Sequence, residues 1–229
     1  MVDTKSKRFE FIDFIRGLAV HLMVFFHFFY DLNVYRFVSI DFQREPFWFY
    51  LPRLIVTLFL FSVGVSLALA HRDGIKRIPY LKRLAKIGIG AIIITISTYF
   101  MFPKSWVYFG TLHCIFFVTI FITPLRHFPK VSLILALIIL SLEAIGHDIP
   151  FWIMDHASMD YIPLFPWIAV GLIGIFAKSM NVHRIAMPNN RFTRLFIVPG
   201  RHAFIIYIIH QPILFSCVYL AHRIVNSLS

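Results

Sequence analysis

Charged side chains are scarce in this sequence: only 14% of its 229 residues are Asp, Glu, Lys or Arg. A soluble domain carries about a quarter of such residues, which cover its surface. The hydrophobic share is correspondingly high, at 59%, and includes 27 phenylalanines. A soluble domain of this size has too little interior to bury so many apolar side chains. The composition therefore excludes a soluble fold and predicts a polytopic membrane protein.

Cysteine is equally scarce, and neither cysteine is placed for redox or metal chemistry. Cys114 and Cys217 each lie within an apolar run, where cysteine behaves as a small hydrophobic residue. The sequence has no pair of histidines four residues apart with an acid between them, the spacing of a helical zinc site. We therefore expect no disulfide and no metal site.

Long apolar runs, separated by charged or proline-containing breaks, organise the chain. One helix needs about 20 apolar residues to cross a bilayer, so we predict an all-α transmembrane bundle of about seven spans in a single domain, residues 1–229. The first run has no small-residue cleavage site, and we expect it to remain as a span. The predicted spans lie near residues 11–32, 48–70, 84–102, 110–125, 131–146, 163–177 and 202–225.

The net charge of +11 arises from 22 basic residues against 11 acidic ones. If the N-terminus, with Lys5, Lys7 and Arg8, is cytoplasmic, sixteen basic residues fall in cytoplasmic segments and five outside. Cytoplasmic loops of membrane proteins carry such an excess. The charge therefore predicts an N-in, C-out topology in which the partner is the lipid bilayer and not nucleic acid.

Besides His21, four Asp, Arg or His residues lie in the first predicted span, where charges are costly and usually face a bundle interior or a cavity. At about 100° per residue, Arg16 and His27 share one helix face and lie about 16 Å apart along the axis. Asp13 precedes Arg16 by one turn, and Asp31 follows His27 by one turn. This face therefore presents an acid, a base, an imidazole and an acid in order.

The spacing of His27 and Asp31 suits proton transfer. An aspartate one turn from a histidine can hold its N–H and raise its basicity, so we predict His27 as a general base oriented by Asp31. Arg16 suits a phosphate or a developing oxyanion. A structural interpretation stays open, in which Asp13 pairs with Arg16 and His27 only hydrogen-bonds to another helix.

The string RGLAVHLMVFFH resembles the first-helix signature of integral membrane acyltransferases. The longer string RFEFIDFIRGLAVHLMVFFHFFYDL resembles the heparan-α-glucosaminide N-acetyltransferase catalytic-domain family and its short bacterial members, and the acyltransferase type 3 family has a similar Arg-to-His spacing. Four further strings match in order: LFLFSVGVSLALAHR, FGTLHCIF, DYIPLFPWIAVGLIGIFAK and GRHAFIIYIIHQPIL.

This resemblance implies transfer of an acyl group, typically acetyl from cytosolic acetyl-CoA, to a hydroxyl or amine of a sugar or glycan beyond the membrane. It implies a location in a bacterial-type inner membrane, with CoA phosphates near Arg16 and the thioester at His27. A small bundle is also compatible with a homodimer.

The last predicted span adds three candidates. Arg201 and His202 stand at its start, where a helix N-terminus can bind the anionic part of the acyl donor, although positive-inside charge is the ordinary explanation of Arg201. His210 lies mid-span beside Pro212, which frees a backbone carbonyl. It is either a second catalytic or acceptor-binding group, or a histidine that satisfies the opened backbone.

Three further residues are candidates for acceptor binding. His113 lies at the exterior end of the fourth span, at the predicted depth of His27. Asp160 and Trp167 lie at the outer lip of the sixth span, where an acid beside aromatic rings can bind a sugar, although an aromatic belt is the ordinary explanation of Trp167.

A transporter or channel is the alternative from another functional class. In that case Arg16, His27 and Asp31 would line a path for protons or solutes. Transporters usually contain paired repeats, and the sequence has no such pairing.

Overall fold

The computed structural model describes residues 9–147 and 149–228, so that Lys5, Lys7, Arg8 and Asp148 lie outside the described residues. Every regular element within them is a helix, which confirms the predicted all-α class. The α-helices are α1 (Glu10–Val34), α2 (Pro46–Ala70), α3 (Arg77–Met101), α4 (Thr111–Ile122), α5 (Pro129–Ala144), α6 (Ile168–Ser179), α7 (Arg191–Arg201) and α8 (Ala203–Leu228), with 3-10 helices at Thr123–His127 and Val182–Arg184.

Four of the described helices, α1, α2, α3 and α8, are long and apolar enough to cross a membrane. The helices α4, α5 and α6 have 12, 16 and 12 residues, or about 18 to 24 Å of helix against a hydrocarbon core of about 30 Å. The count of long apolar helices is therefore lower than the predicted seven. Proline accounts for part of the difference, because Pro166 precedes α6 and Pro124 lies where α4 gives way to a 3-10 helix.

The helix α7 lies in a segment whose arginines predict a cytoplasmic loop. It begins after Asn190, whose side chain accepts a hydrogen bond from the backbone N–H of Thr193 at 2.9 Å, a common N-terminal cap. Thr193, Ile197 and Gly200 are buried on one face of this helix.

The chain divides into two compact units. Unit 1 comprises residues 1–59 and 186–229, and unit 2 comprises residues 60–185, so that the division runs through α2. The single domain of residues 1–229 stays a prediction.

In unit 1, α1 and α8 run parallel. Arg201, the last residue of α7 and two residues before the start of α8, contacts Glu10 and Asp13 in the first turn of α1. Beyond the other end of α1, the ring of Tyr35 lies 6.0 Å from that of Tyr219. Both helices therefore begin at the same end of the unit.

Two glycines bring α7 close to α1. A Cβ atom on Gly17 would overlap the carbonyl oxygen of Phe196, and one on Gly200 would overlap that of Asp13. The ring of Phe196 also packs between Phe14 and His21. The first half of α1 is thus covered by α7.

Unit 2 is also built on close helix contacts. Gly64 on α2 meets Gly171 and Gly174 on α6, where a side chain would overlap the backbone of the other helix. Small residues allow such contacts between membrane helices. Further contacts join α3 to α4 and α6 to both α4 and α5.

Candidate functional site

At the end of unit 1 where α1 and α8 both begin, a buried carboxylate lies between two arginines. Asp13 is 2% exposed, and its oxygens lie 3.3 Å from Nη1 of Arg16 and 3.5 Å from Nε of Arg201. Arg201 also lies 3.9 Å from Glu10. Because α7 packs closely on α1, Arg201 lies beside Asp13. Two residues predicted to bind the acyl donor are therefore brought together.

The ion pair of the structural interpretation is present, since Arg16 pairs with Asp13. The side chains of Arg16 and Arg201 nevertheless remain 27% and 36% exposed. Each guanidinium has five N–H donors, so the ion pairs with Asp13 and Glu10 do not exhaust the capacity of the two arginines for an added phosphate. His202 is exposed at the same end, between α7 and α8.

Farther along α1, four polar side chains form what we call the polar cluster: His27 and Asp31 on α1, and His210 and Gln211 on α8. The rings of His27 and His210 lie 4.9 Å apart. Gln211 donates from Nε2 to Oδ1 of Asp31 at 2.9 Å. Asp31 is 1% exposed and His210 is 8% exposed. The parallel packing of α1 and α8 therefore unites three predicted site residues with one that was not predicted.

Each member of the polar cluster has a buried polar atom that finds no hydrogen-bond partner among the described residues. These atoms are Nδ1 of His27, Oδ2 of Asp31, Nε2 of His210 and Oε1 of Gln211. Leaving such an atom unsatisfied costs about 1–3 kcal/mol. Four of them in one place mark the position where a polar ligand would gain most.

The hydrogen bonding of Asp31 differs from the predicted dyad. Its carboxylate accepts from Gln211 rather than from the imidazole of His27, although His27 lies one turn away on the same helix. His210 donates from Nδ1 to the carbonyl of Tyr207 at 2.8 Å, so one of its nitrogens does satisfy the backbone. The roles of these residues stay predictions.

Sequence reasoning missed Gln211 as a site residue. A signal was present, because Gln211 is an amide within an apolar span and directly follows His210. Its importance depends on Asp31, which is 180 residues away in the chain.

His113 lies in unit 2, where both of its ring nitrogens are engaged. Its Nδ1 accepts from the backbone N–H of Gly110 at 3.2 Å, and its Nε2 lies 3.1 Å from the hydroxyl of Thr95. Because that hydroxyl donates to the carbonyl of Val107, the Nε2–H form of the imidazole satisfies every contact. His113 thus caps the start of α4, and its predicted role in acceptor binding is untested.

The carboxylate of Asp160 also lies beside the start of α4, although Asp160 is 49 residues from Thr111 in the chain. Its Oδ2 accepts from the backbone N–H of Thr111 at 3.0 Å and packs over Gly110. Burial raises the pKa of Asp160 above its usual value, and the hydrogen bonds from Thr111 oppose this shift. Trp167 immediately precedes α6. The acceptor roles of Asp160 and Trp167 stay predictions.

No group of three or more His, Cys, Asp or Glu side chains within residues 9–147 and 149–228 is arranged to hold a metal ion.

Comparison with known proteins gives a family match. The sequence model of the heparan-alpha-glucosaminide N-acetyltransferase catalytic domain matches residues 8–212. The chain belongs to this family. The match runs through both units and includes both the arginine pair and the polar cluster.

Membership in the heparan-alpha-glucosaminide N-acetyltransferase catalytic-domain family indicates a transmembrane acetyltransferase. The predicted resemblance to this family is confirmed, whereas the relation to the acyltransferase type 3 family stays a prediction. No curated protein and no solved structure matched the chain.

Proposed function

We propose that the protein transfers an acetyl group from cytosolic acetyl-CoA to a hydroxyl or amine of a sugar or glycan acceptor at or beyond the membrane. The observation that carries the proposal is the polar cluster, with its four unpartnered buried atoms in the interface of two long apolar helices. Family membership supports acetyl transfer as the reaction, and the unpartnered atoms support the polar cluster as its site.

His27 acts as the general base in this proposal. Its imidazole accepts the proton of the acceptor O–H or N–H while the acceptor oxygen or nitrogen attacks the carbonyl carbon of the thioester. The C–S bond then breaks and the acetyl group stays on the acceptor. The imidazolium returns the proton to the leaving thiolate, which departs as CoA. Asp31 positions the cluster through its hydrogen bond with Gln211.

Arg16 and Arg201 hold the phosphates of the donor in this proposal, together with His202. The helix α1 is continuous from Glu10 to Val34, so Arg16 lies about 16 Å along the axis from His27. This distance is of the order of an extended pantetheine arm. Holding both substrates at His27 raises the rate of acetyl transfer through proximity and orientation.

Release of CoA thiol from acetyl-CoA by the purified protein tests the proposal. We expect release in detergent when glucosamine or glucose is present and only background release without an acceptor. Equal release with and without an acceptor would indicate simple thioester hydrolysis. No release with any acceptor of a broad sugar panel would contradict the proposal.

A proton-coupled transporter or channel is the second candidate, because unpartnered polar atoms within apolar helices are also typical of proton paths. Protein reconstituted in liposomes distinguishes the two: pH-driven flux without thiol release favours transport. A bacterial inner membrane, an N-in, C-out orientation and a homodimer are further parts of the proposal.

A further inference from the structure

The unpartnered atoms of the polar cluster are mainly hydrogen-bond acceptors. The carbonyl of Tyr207 can only accept, so Nδ1 of His210 carries the hydrogen and Nε2 of the neutral ring presents a lone pair. Gln211 uses its Nε2 to donate to Asp31, which leaves Oε1 as an acceptor. Oδ2 of the Asp31 carboxylate is a third acceptor.

Three buried acceptors in one place restrict the chemistry of an occupant. Phosphate and carbonyl oxygens are acceptors themselves and cannot satisfy them, so that in the pantetheine arm of an acyl-CoA only the hydroxyl and amide N–H groups could do so. Hydroxyl and amine groups can, because each donates at least one hydrogen. An occupant without such donors would leave desolvated acceptors unpaired, which binding sites penalise strongly.

We propose that the polar cluster selects a molecule that donates at least three hydrogen bonds, and that Gln211 is a specificity-determining residue for it. One side chain performs two tasks: Nε2 of Gln211 fixes the Asp31 carboxylate, and Oε1 receives a donor of the ligand. The identification of this ligand with the acetyl acceptor rests on the proposed function, whereas the selection for donors does not.

Binding to the full chain in detergent tests the selection directly. The probes are glucose and galactose, each paired with its fully O-methylated counterpart, and the readout is the shift of the thermal unfolding midpoint. We expect the unmethylated probes to raise the midpoint and the methylated ones to leave it unchanged. Shifts that are equal within each pair, or absent for all probes, would overturn the proposal.

The variant Gln211→Leu removes the amide, and Gln43→Leu makes the same change at an exposed loop position. We expect Gln211→Leu to lose at least half of the ligand-induced shift and Gln43→Leu to retain all of it. The ligand-induced shift is read against each variant's own midpoint, so that a change in basal stability does not mimic a loss of binding. An unchanged shift in Gln211→Leu would overturn the role of Gln211.

Kinetics separate the specificity role from a structural one. We expect Gln211→Leu to raise the KM for the sugar about 3- to 10-fold, the value of one hydrogen bond, with the KM for acetyl-CoA within about 2-fold. Equal increases in both KM values would assign Gln211 a structural role and overturn the inference.

The two proposals can fail separately. Donor-selective binding without any CoA release would contradict the proposed function and support the selection for donors. CoA release with an unchanged sugar KM in Gln211→Leu would support the function and overturn the inference.

Discussion

At the scale of single residues, unit 1 contains two buried carboxylates that are satisfied in different ways. Asp13 lies between two guanidinium groups, whereas Asp31 has one amide donor. A carboxylate removed from water costs several kcal/mol unless partners replace its hydration. We therefore interpret Asp13 as a carboxylate with a structural role. Asp31 has fewer partners, and hydrogen bonds from a ligand would stabilise it further.

The substitution Asp13→Asn tests the structural role of the Asp13 carboxylate. It leaves two arginines without their shared carboxylate, and we expect the free energy of unfolding to fall by about 1–3 kcal/mol, less than for a fully buried pair because both arginines keep some hydration. Thermal unfolding in detergent is the measurement. The matched control is Asp73→Asn, which breaks an exposed pair with Arg72 and should change stability little. Equal effects of the two variants would contradict this role.

The sequence predicted His27, Asp31 and His210 as site residues because each interrupts an apolar run, whereas Gln211 was missed. It could not predict that Asp31 bonds to Gln211 instead of His27, since that pairing depends on the parallel packing of two helices far apart in the chain. It could not predict the caps at α4 either, because Asp160 reaches Thr111 across 49 residues.

At the scale of helices, the contact of α1 with α7 depends on glycine. We expect Gly17→Ala to lower the free energy of unfolding by about 1–3 kcal/mol, because its Cβ would overlap the backbone oxygen of Phe196 and separate the helices. The control is Gly88→Ala, whose Cβ would meet a ring atom of Phe116 at 3.3 Å, where a side chain can yield. Unfolding midpoints that fall equally for both variants would contradict the close contact.

The start of α4 provides a prediction about pH. Because the pKa of Asp160 is raised in the folded protein, folding favours the neutral carboxyl. Its contribution to stability is present below the ordinary pKa of about 4 and is lost as the pH rises through the raised value.

The variant Asp160→Asn removes this proton equilibrium and retains an oxygen for Thr111. We expect its unfolding midpoint, relative to the native protein, to rise between pH 4 and pH 7. Asp155→Asn, at an exposed position in the same loop, serves as the control. A constant or falling difference for Asp160→Asn would contradict the burial of this carboxyl.

The helices also show where hydropathy succeeds and fails. Each predicted span contains a helix, because apolar runs and their breaks are visible in the sequence. The helix α7 was missed, because its arginines resemble a charged loop and its buried face is only three residues wide: Thr193, Ile197 and Gly200.

At the scale of the whole molecule, the parallel pair α1 and α8 constrains the topology. If α1, α2 and α3 each cross the membrane once, the chain lies on the far side after α3, yet α8 begins at the same end as α1. The segment of residues 102–202 must then cross the membrane an odd number of times, although its helices are short. Under this condition the first residue of α1 and the last residue of α8 would lie on opposite sides of the membrane, which is the orientation that the charge distribution predicts and which stays a prediction.

Labelling of single cysteines by a membrane-impermeant maleimide tests this parity. In a background without Cys114 and Cys217, we expect Lys104→Cys to react from outside the cell and Ile185→Cys only after the cytoplasmic side is opened. The helix α7, of 11 residues, is too short to cross between Ile185 and α8. Reaction of both positions from the same side would contradict the topology.

The most direct test of the account is the acetyl-transfer rate of His27→Ala in purified protein. As a general base, His27 should contribute about 10²- to 10⁴-fold to kcat, and the loss should occur with little change in the unfolding midpoint. His222→Ala, on the exposed part of α8 where the ring contacts Asn226, is the matched control and should retain full turnover. Native turnover in His27→Ala would contradict the central claim that the polar cluster performs the chemistry.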